Sequence, residues 1–174
     1  MTLAEILHSL FPDGHGVEVV DGLIGGDGPF GAGRLAVVGI DGNTPLGIEG
    51  ACLLAGRVLD VVRRGGATPI LVAIDSDSQR MSRRDELLGL NEYLAHLAKA
   101  LLLADAQGHP TLGLLYGHSA AGAFIATALA TRVLAALPGA HPSVMDLPSV
   151  ARVTKLPLDR LEEMAKSTTV FAPG

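Results

Sequence analysis

Apolar residues recur along this chain at two spacings, and the alternation between them predicts a layered fold. Leu3, Ile6, Leu7 and Leu10 lie at helical intervals and predict a short docking helix over residues 1–11. From Asp13 to Gly33 glycine is dense, with Val17-Glu18-Val19-Val20 as an extended piece between turn signals, and Arg34 to Ile40 then reads as a strand. Asp41-Gly42-Asn43-Thr44-Pro45 predicts a turn with Thr44 as N-cap and Pro45 at the first helical position. The helix that follows places Ile48, Ala51, Cys52, Ala55, Val58, Leu59 and Val62 on one face and stops at Gly65-Gly66. Pro69 to Ile74 is apolar throughout, as in a strand buried on both faces, and ends in the polar cluster Asp75-Ser76-Asp77-Ser78-Gln79. Ser82 with Asp85 has the form of a capping box for a helix from Arg83 or Arg84 to about Ala104, whose Leu87, Leu90, Leu94, Leu97 and Leu101 face inward.

The stretch Thr111 to Leu129 organises the rest. Leu112 to Tyr116 predicts a strand, Gly117-His118-Ser119 a tight turn, and the small and apolar residues beyond it a helix with no further breaker until Leu137-Pro138-Gly139. Past Pro138 the pattern predicts a loop over 139–143, a strand at Val144-Met145-Asp146, an edge element at Ser149 to Thr154, a short charged helix from Leu158 to Lys166, and the opening of a strand or turn at Thr169. Strands that are apolar throughout, alternating with helices, indicate an α/β fold with a parallel sheet under crossover helices. No repeat, low-complexity run or linker divides the chain, so a single domain is expected over all 174 residues.

Composition narrows the function. Hydrophobic residues make up 48% and charged residues 18%, with no Trp, and so apolar a chain is expected to bury surface against another protein. The net charge of −5 argues against nucleic acid or an anionic membrane as partner. A single cysteine, no Cys/His ligand spacing and no basic N-terminal region imply no metal, no internal disulfide and a reducing, cytoplasmic compartment. Cys52, on the inward helix face with no basic neighbour, reads as a core thiol and not a nucleophile. Leu112 to Leu137 is interrupted by Gly113, Gly117, His118, Ser119, Gly122 and Arg132, which favours a buried strand and helix over a membrane span.

The chemistry-bearing motifs are few. Gly26-Asp27-Gly28-Pro29-Phe30-Gly31 matches G-x-G-x-x-G, but it contains Pro29 and leads into a strand where a dinucleotide site requires a helix. Gly117-His118-Ser119-Ala120-Ala121 has the strand-to-helix context of a nucleophile elbow with Ser119 as nucleophile. Its last position is alanine, however, and neither Asp146 nor Asp159 lies between Ser119 and His141 in the usual triad order. The same turn leaves the first N–H groups of a helix without intrahelical partners, able to hold an anionic oxygen, and the small Ala120, Ala121, Gly122 and Ala123 keep the approach open. A packed strand–helix unit with close contacts accounts for those small residues equally well. Ser76, Ser78 and Gln79 end a buried strand in the same sense as Gly117, and so either face the same cleft or cap the next helix.

Tyr116-Gly117-His118-Ser119-Ala120-Ala121-Gly122-Ala123-Phe124-Ile125-Ala126, with the strand and loop from Pro69 to Gln79 and the helix bearing Arg83-Arg84-Asp85-Glu86-Leu87, resembles the carboxyltransferase branch of the crotonase superfamily, and within it the gamma subunits of malonate decarboxylases. The likeness runs from about residue 20 to Gly174, with Ala121 where the first glycine of a pair stands, and its early end implies a domain lacking a C-terminal portion. It implies a crotonase-like (ClpP/crotonase) fold of repeated ββα and βαβ units, paired with a homologous beta subunit so that the active site lies between the two chains. It further implies decarboxylation of a malonyl thioester on an acyl carrier protein, with Ala121, Gly122 and Ala123 as backbone donors to the enolate oxygen. On that reading His118 and Ser119 position the carboxylate or deliver the proton, Gly117, Ser76, Ser78 and Gln79 line the substrate cleft, and Arg80, Arg83 and Arg84 meet the carrier protein or its phosphopantetheine phosphate. For the three arginines a solvated face is the alternative. No cofactor is expected on this chain, and Lys99, Lys155 and Lys166 lack the context of a biotin attachment site.

Overall fold

The computed structural model describes residues 1–143 and 147–165. In chain order the elements are α1 (Leu3–Leu10), β1 (Glu18–Val20), β2 (Leu23–Phe30), β3 (Gly33–Ile40), α2 (Ile48–Arg64), β4 (Ile70–Ile74), α3 (Arg83–Leu87), α4 (Leu90–Ala106), β5 (Thr111–Leu115), β6 (His118–Ala120), α5 (Ala121–Thr127), β7 (Val133–Ala136), β8 (His141–Ser143), α6 (Leu147–Thr154) and α7 (Leu158–Ala165). The main sheet has the order β1-β2-β3-β4-β5-β7; β1 and β2 run antiparallel to their successors, and β3, β4, β5 and β7 are parallel. The G-x-G-x-x-G match lies in β2 and its turn into β3, within an antiparallel hairpin.

Successive side chains of a strand alternate between faces, and here both faces are buried. Ala36, Val38 and Ile40 of β3, with Ile70, Val72 and Ile74 of β4, pack under α2, α4 and α5. Leu35, Val37, Leu71 and Ala73 face the other way, onto Leu3, Ile6, Leu7 and Phe11 at α1. The cover from α1 stops short of the far edge: Leu112 on β5 is 38% exposed and all four residues of β7 are exposed. Among the described residues, no helix is long and apolar enough to cross a membrane.

After β5 the chain leaves the main sheet for β6, enters α5 and returns as β7; it then repeats the excursion through β8 and α6. β6 and β8 pair in parallel, His118 facing His141 and Ala120 facing Ser143, so each turn of the chain is a ββα unit. The preceding turns add to the same small layer, through the Ser76 N–H to the His118 carbonyl at 2.7 Å and a parallel bridge from Leu46 to Gln79.

Several sequence expectations change. The turn at Gly117–Ser119 is in part strand β6, and the helix after it is only α5, because Val133–Ala136 pairs with β5; a four-residue apolar run carries no periodicity to separate strand from helix. Helix α2 starts at Ile48 with Gly47 as N-cap, not at Pro45 with Thr44; the Thr44 hydroxyl donates instead to the Asp41 carbonyl. Leu88 and left-handed Gly89 split the expected long helix into α3 and α4, and Leu87, on the separate first turn, is 77% exposed. Cys52 is exposed, because the inward stripe of α2 runs through Ala51, Leu54, Ala55, Val58 and Val61. Ser149 to Thr154 belongs to helix α6, not to an edge strand. The strand expected at residues 144–146 and the element expected from Thr169 lie outside the described residues, while the charged helix from Leu158 is α7.

Candidate functional site

Three polar side chains follow directly on the parallel strands: Asp41 after β3, Asp75 after β4 and Tyr116 after β5. Residues at the carboxyl ends of parallel strands share one rim, where α/β sheets place their ligands. The Tyr116 hydroxyl donates to Asp41 Oδ1 at 2.6 Å. Burial, the hydrogen bond to Asp41 and the charges of Asp41 and Asp75 push this phenol well above its ordinary value, so it remains a donor. The sequence places all three in turns or motifs but gives none of them a role, although their common offset, one residue past an apolar run, is visible there.

The loop after β4 clamps the turn after β5. Asp75 Oδ1 accepts the His118 N–H at 3.0 Å, the His118 carbonyl accepts the Ser76 N–H at 2.7 Å, and His118 Nδ1 lies 3.0 Å from the Ser76 carbonyl. A carbonyl can only accept, so Nδ1 carries the proton and Nε2 is the nitrogen left to exchange one. The Ser76 and Ser119 hydroxyl oxygens are 2.8 Å apart, and both residues are wholly buried. Gly122 N–H donates to Gln79 Oε1 at 2.8 Å. Of the residues expected to line a cleft or cap the next helix, Ser76 and Gln79 thus meet the turn, Ser78 bonds the Gln79 carbonyl, and the cap of α3 is Ser82.

Glycine is required at 117 by proximity: a Cβ there would stand 2.1 Å from Asp75 Oδ1. At Gly122 a Cβ would meet Leu94 Cδ1 at 3.0 Å and Gln79 Oε1 at 3.1 Å. Strain in the turn sits on Ala121, at φ +50°, and not on Ser119. Ser119 lies between His118 and Ala120 on β6, so its side chain takes the opposite face from His118 and from His141, the register partner of His118. The hydroxyl of Ser119 therefore meets Ser76 and neither imidazole, which is not the geometry of an activated nucleophile.

The arginines divide. Arg80 and Arg84 reach Glu49 at 3.4 and 2.5 Å, and both flank the buried Asp85, at 3.8 and 3.2 Å. Asp85 Oδ2 lies 3.4 Å from the Ile48 N–H at the start of α2. The capping box is therefore only half made: Ser82 Oγ accepts the Asp85 N–H, while the Asp85 carboxylate serves a different helix. Arg83 is exposed and has no ion pair among the described residues. Among those residues no three His, Cys, Asp or Glu side chains are grouped to hold a metal ion.

The fold recurs in known proteins. The fold superimposes on a chain of a Pseudomonas malonate decarboxylase hetero-tetramer in complex with coenzyme A, with a TM-score of 0.79 at 23% identity over 97% of this chain and 70% of that one. For a Pseudomonas malonate decarboxylase MdcD-MdcE hetero-dimer the TM-score is 0.76 at 24% identity, over 97% and 71%. The transcarboxylase 12S core gives 0.74 at 14% identity, over 87% and 31%. The architecture is thus the crotonase-like fold of carboxyltransferases. In sequence the chain is 33% identical over 109 residues to the malonyl-S-ACP:biotin-protein carboxyltransferase of Malonomonas rubra, a match that takes in 61% of this chain and 37% of that protein. The chain thus spans well under half the length of this relative. The model of the malonate decarboxylase gamma subunit family matches residues 42–174, a span that holds the clamp from Asp75 to Gly122, and the chain belongs to that family.

Proposed function

We propose that this chain is the gamma subunit of a malonate decarboxylase and acts with a homologous beta subunit on malonyl-S-acyl-carrier-protein, giving the acetyl thioester and CO2. The observation that carries the reading is the Gly122 N–H, held by a clamped turn and directed at an oxygen acceptor, the Gln79 amide, at 2.8 Å. When the carboxylate leaves as CO2, the electron pair of the broken C–C bond becomes an enolate with its charge on the thioester oxygen. Backbone donors fixed in advance at that oxygen lower the barrier by about 3–4 kcal/mol each without metal or cofactor. Ala121, Gly122 and Ala123 supply those donors, with Gln79 yielding its place to the substrate oxygen. His118 Nε2 takes up a proton from water and passes it to the enolate carbon, which becomes the acetyl methyl, while Nδ1–H stays on the Ser76 carbonyl. Ser119 stays hydrogen-bonded to Ser76 and supports the turn. Gly117, Ser76, Ser78 and Gln79 form the wall beside it. Arg83, which has no ion pair among the described residues, meets the carrier protein or its phosphopantetheine phosphate, while Arg80 and Arg84 hold the helix that presents it.

The Malonomonas relative favours a second reading, in which the carboxyl group passes to biotin on a separate protein. One experiment separates the two. Labelled malonyl carrier protein is incubated with the chain, with and without the beta subunit, and with and without a biotinylated carrier domain. CO2 release by the pair alone supports decarboxylation, and label retained until biotin is added supports transfer. Full turnover by the chain without its partner contradicts both.

A further inference from the structure

We propose that Asp75 is a positioning residue that acts through His118, an inference that rests on the proton-delivery role of His118 given above. The carboxylate of Asp75 has two hydrogen-bond partners among the described residues, and both are main-chain N–H groups: His118 on Oδ1 at 3.0 Å and Asn43 on Oδ2 at 3.2 Å. No cationic side chain is paired with it there. Its negative charge faces two amides from different segments, Asn43 in the loop after β3 and His118 at the start of β6, and it ties them together across the end of β4. The Cβ-free backbone of Gly117 lets Oδ1 lie flush against the turn.

The consequence falls on one ring. With its N–H on Asp75, its carbonyl on the Ser76 N–H and its Nδ1 on the Ser76 carbonyl, His118 is held at three points by two consecutive residues. Asp75 supplies the one of these that is charge-assisted. If the first bond is lost, the backbone at 118 can rotate and Nε2 no longer has a fixed position. Misplacing a reacting group by about 1 Å costs on the order of 100-fold in rate. Asp75→Asn is the sharp probe, because it is isosteric: whichever way its amide turns, the His118 N–H either faces an NH2 group or keeps only an uncharged acceptor, so the charge-assisted bond is lost in both cases.

The test uses the complex with the beta subunit and malonyl carrier protein. Wild type, Asp75→Asn, His118→Gln and the double variant are compared, together with ring resonances of isotope-labelled histidine. Asp75→Asn should lower kcat by about tenfold or more with KM within about twofold, and should cost less than about twofold when His118 is already Gln, because contacting residues of one network are not additive. The His118 ring should be the Nδ1–H tautomer in wild type and a mixture in Asp75→Asn. Gly117→Ala, which displaces the carboxylate without removing it, should reproduce both effects if Asp75→Asn fails to fold. Equal cost in both backgrounds, or an unchanged His118 resonance, overturns the proposal. A fully active His118→Gln complex also overturns it while leaving the decarboxylase reading intact. A wild-type complex without turnover sinks that reading instead, and the resonance still decides whether Asp75 orients His118.

Discussion

Ser76 and Ser119, 43 residues apart and wholly buried, meet with their hydroxyl oxygens 2.8 Å from each other. In the β4–β5 ladder Ile74 faces Leu115, and simple continuation would bring Ser76 opposite Gly117. The register shifts because Tyr116 and Gly117 both direct their N–H groups at the Ile74 carbonyl, at 3.1 and 3.4 Å. Those two extra residues lift the chain out of the main sheet. Three contacts of the clamp, Asp75 with His118, Ser76 with Ser119 and Gln79 with Gly122, share the new spacing of 43 residues.

The serine pair predicts a non-additive loss of stability. Ser119→Ala leaves the Ser76 hydroxyl without its partner in a wholly buried site and should cost about 1–3 kcal/mol, as burial of an unsatisfied polar group does. Replacing both serines by alanine removes both groups, and the double variant should lose clearly less than the sum of the singles. Denaturant unfolding of the four proteins decides this. Strict additivity would mean that the two hydroxyls do not depend on each other. The same Ser119→Ala protein should retain turnover within about tenfold, whereas a serine nucleophile would lose nearly all of it.

The parallel strands were legible because both their faces are buried, which writes Pro69–Ile74 as an unbroken apolar run. Helix α4 was legible from its leucines. The failures have physical causes. Val133–Ala136 is apolar without period, so the strand merged into the helix before it, and only pairing with β5 separates them. Thr44-Pro45 has the chemistry of a helix start, yet the Asp85 carboxylate, distant in sequence, serves the N-terminus that actually forms at Ile48. At the site, the turn and its small residues could be read from local pattern. The clamp could not, since each of its bonds joins residues about forty positions apart.

Gly122→Val tests whether the turn lies at the chemistry. The new side chain would begin 3.0 Å from Leu94 Cδ1 and 3.1 Å from Gln79 Oε1, and would cover the Gly122 N–H. Loss of one oxyanion donor costs about 10²–10³ in kcat. The expected outcome is a kcat reduced by that order, with the beta subunit still bound in size-exclusion chromatography. Unchanged turnover in an assembled complex would make this chain a scaffold for chemistry carried by its partner.

Asp85 predicts a stability effect remote from the turn. Only 1% exposed, it lies between Arg80 and Arg84 and receives the first N–H of α2. Asp85→Ala removes a helix cap, worth about 1 kcal/mol, while both arginines keep Glu49, so a total loss of about 1–2 kcal/mol is expected. Because α2 covers the sheet, the loss should appear as a lower denaturation midpoint with an unchanged slope. A change below about 0.3 kcal/mol would show that Ser82 and water suffice at this corner.

Tyr116 predicts how stability responds to alkali. Burial, foremost, with the hydrogen bond to Asp41 and the neighbouring negative charges, raises its phenol above the ordinary value of 10.0. In the unfolded chain the phenol ionises near that ordinary value, so above it the folded state holds more protons than the unfolded one. Stability contributed by this group is therefore fully present below about pH 10 and is lost as the pH rises beyond it. Tyr116→Phe abolishes the dependence but gives up a hydrogen bond to a carboxylate, worth about 1.5–3 kcal/mol at neutral pH. Wild type should thus be the more stable protein at pH 8, and its advantage should shrink between pH 10 and 11.5 as the tyrosinate of the unfolded state becomes available. Parallel curves for the two proteins across that range would show that the phenol ionises equally easily folded and unfolded, and that its contact with Asp41 is too weak to hold the proton.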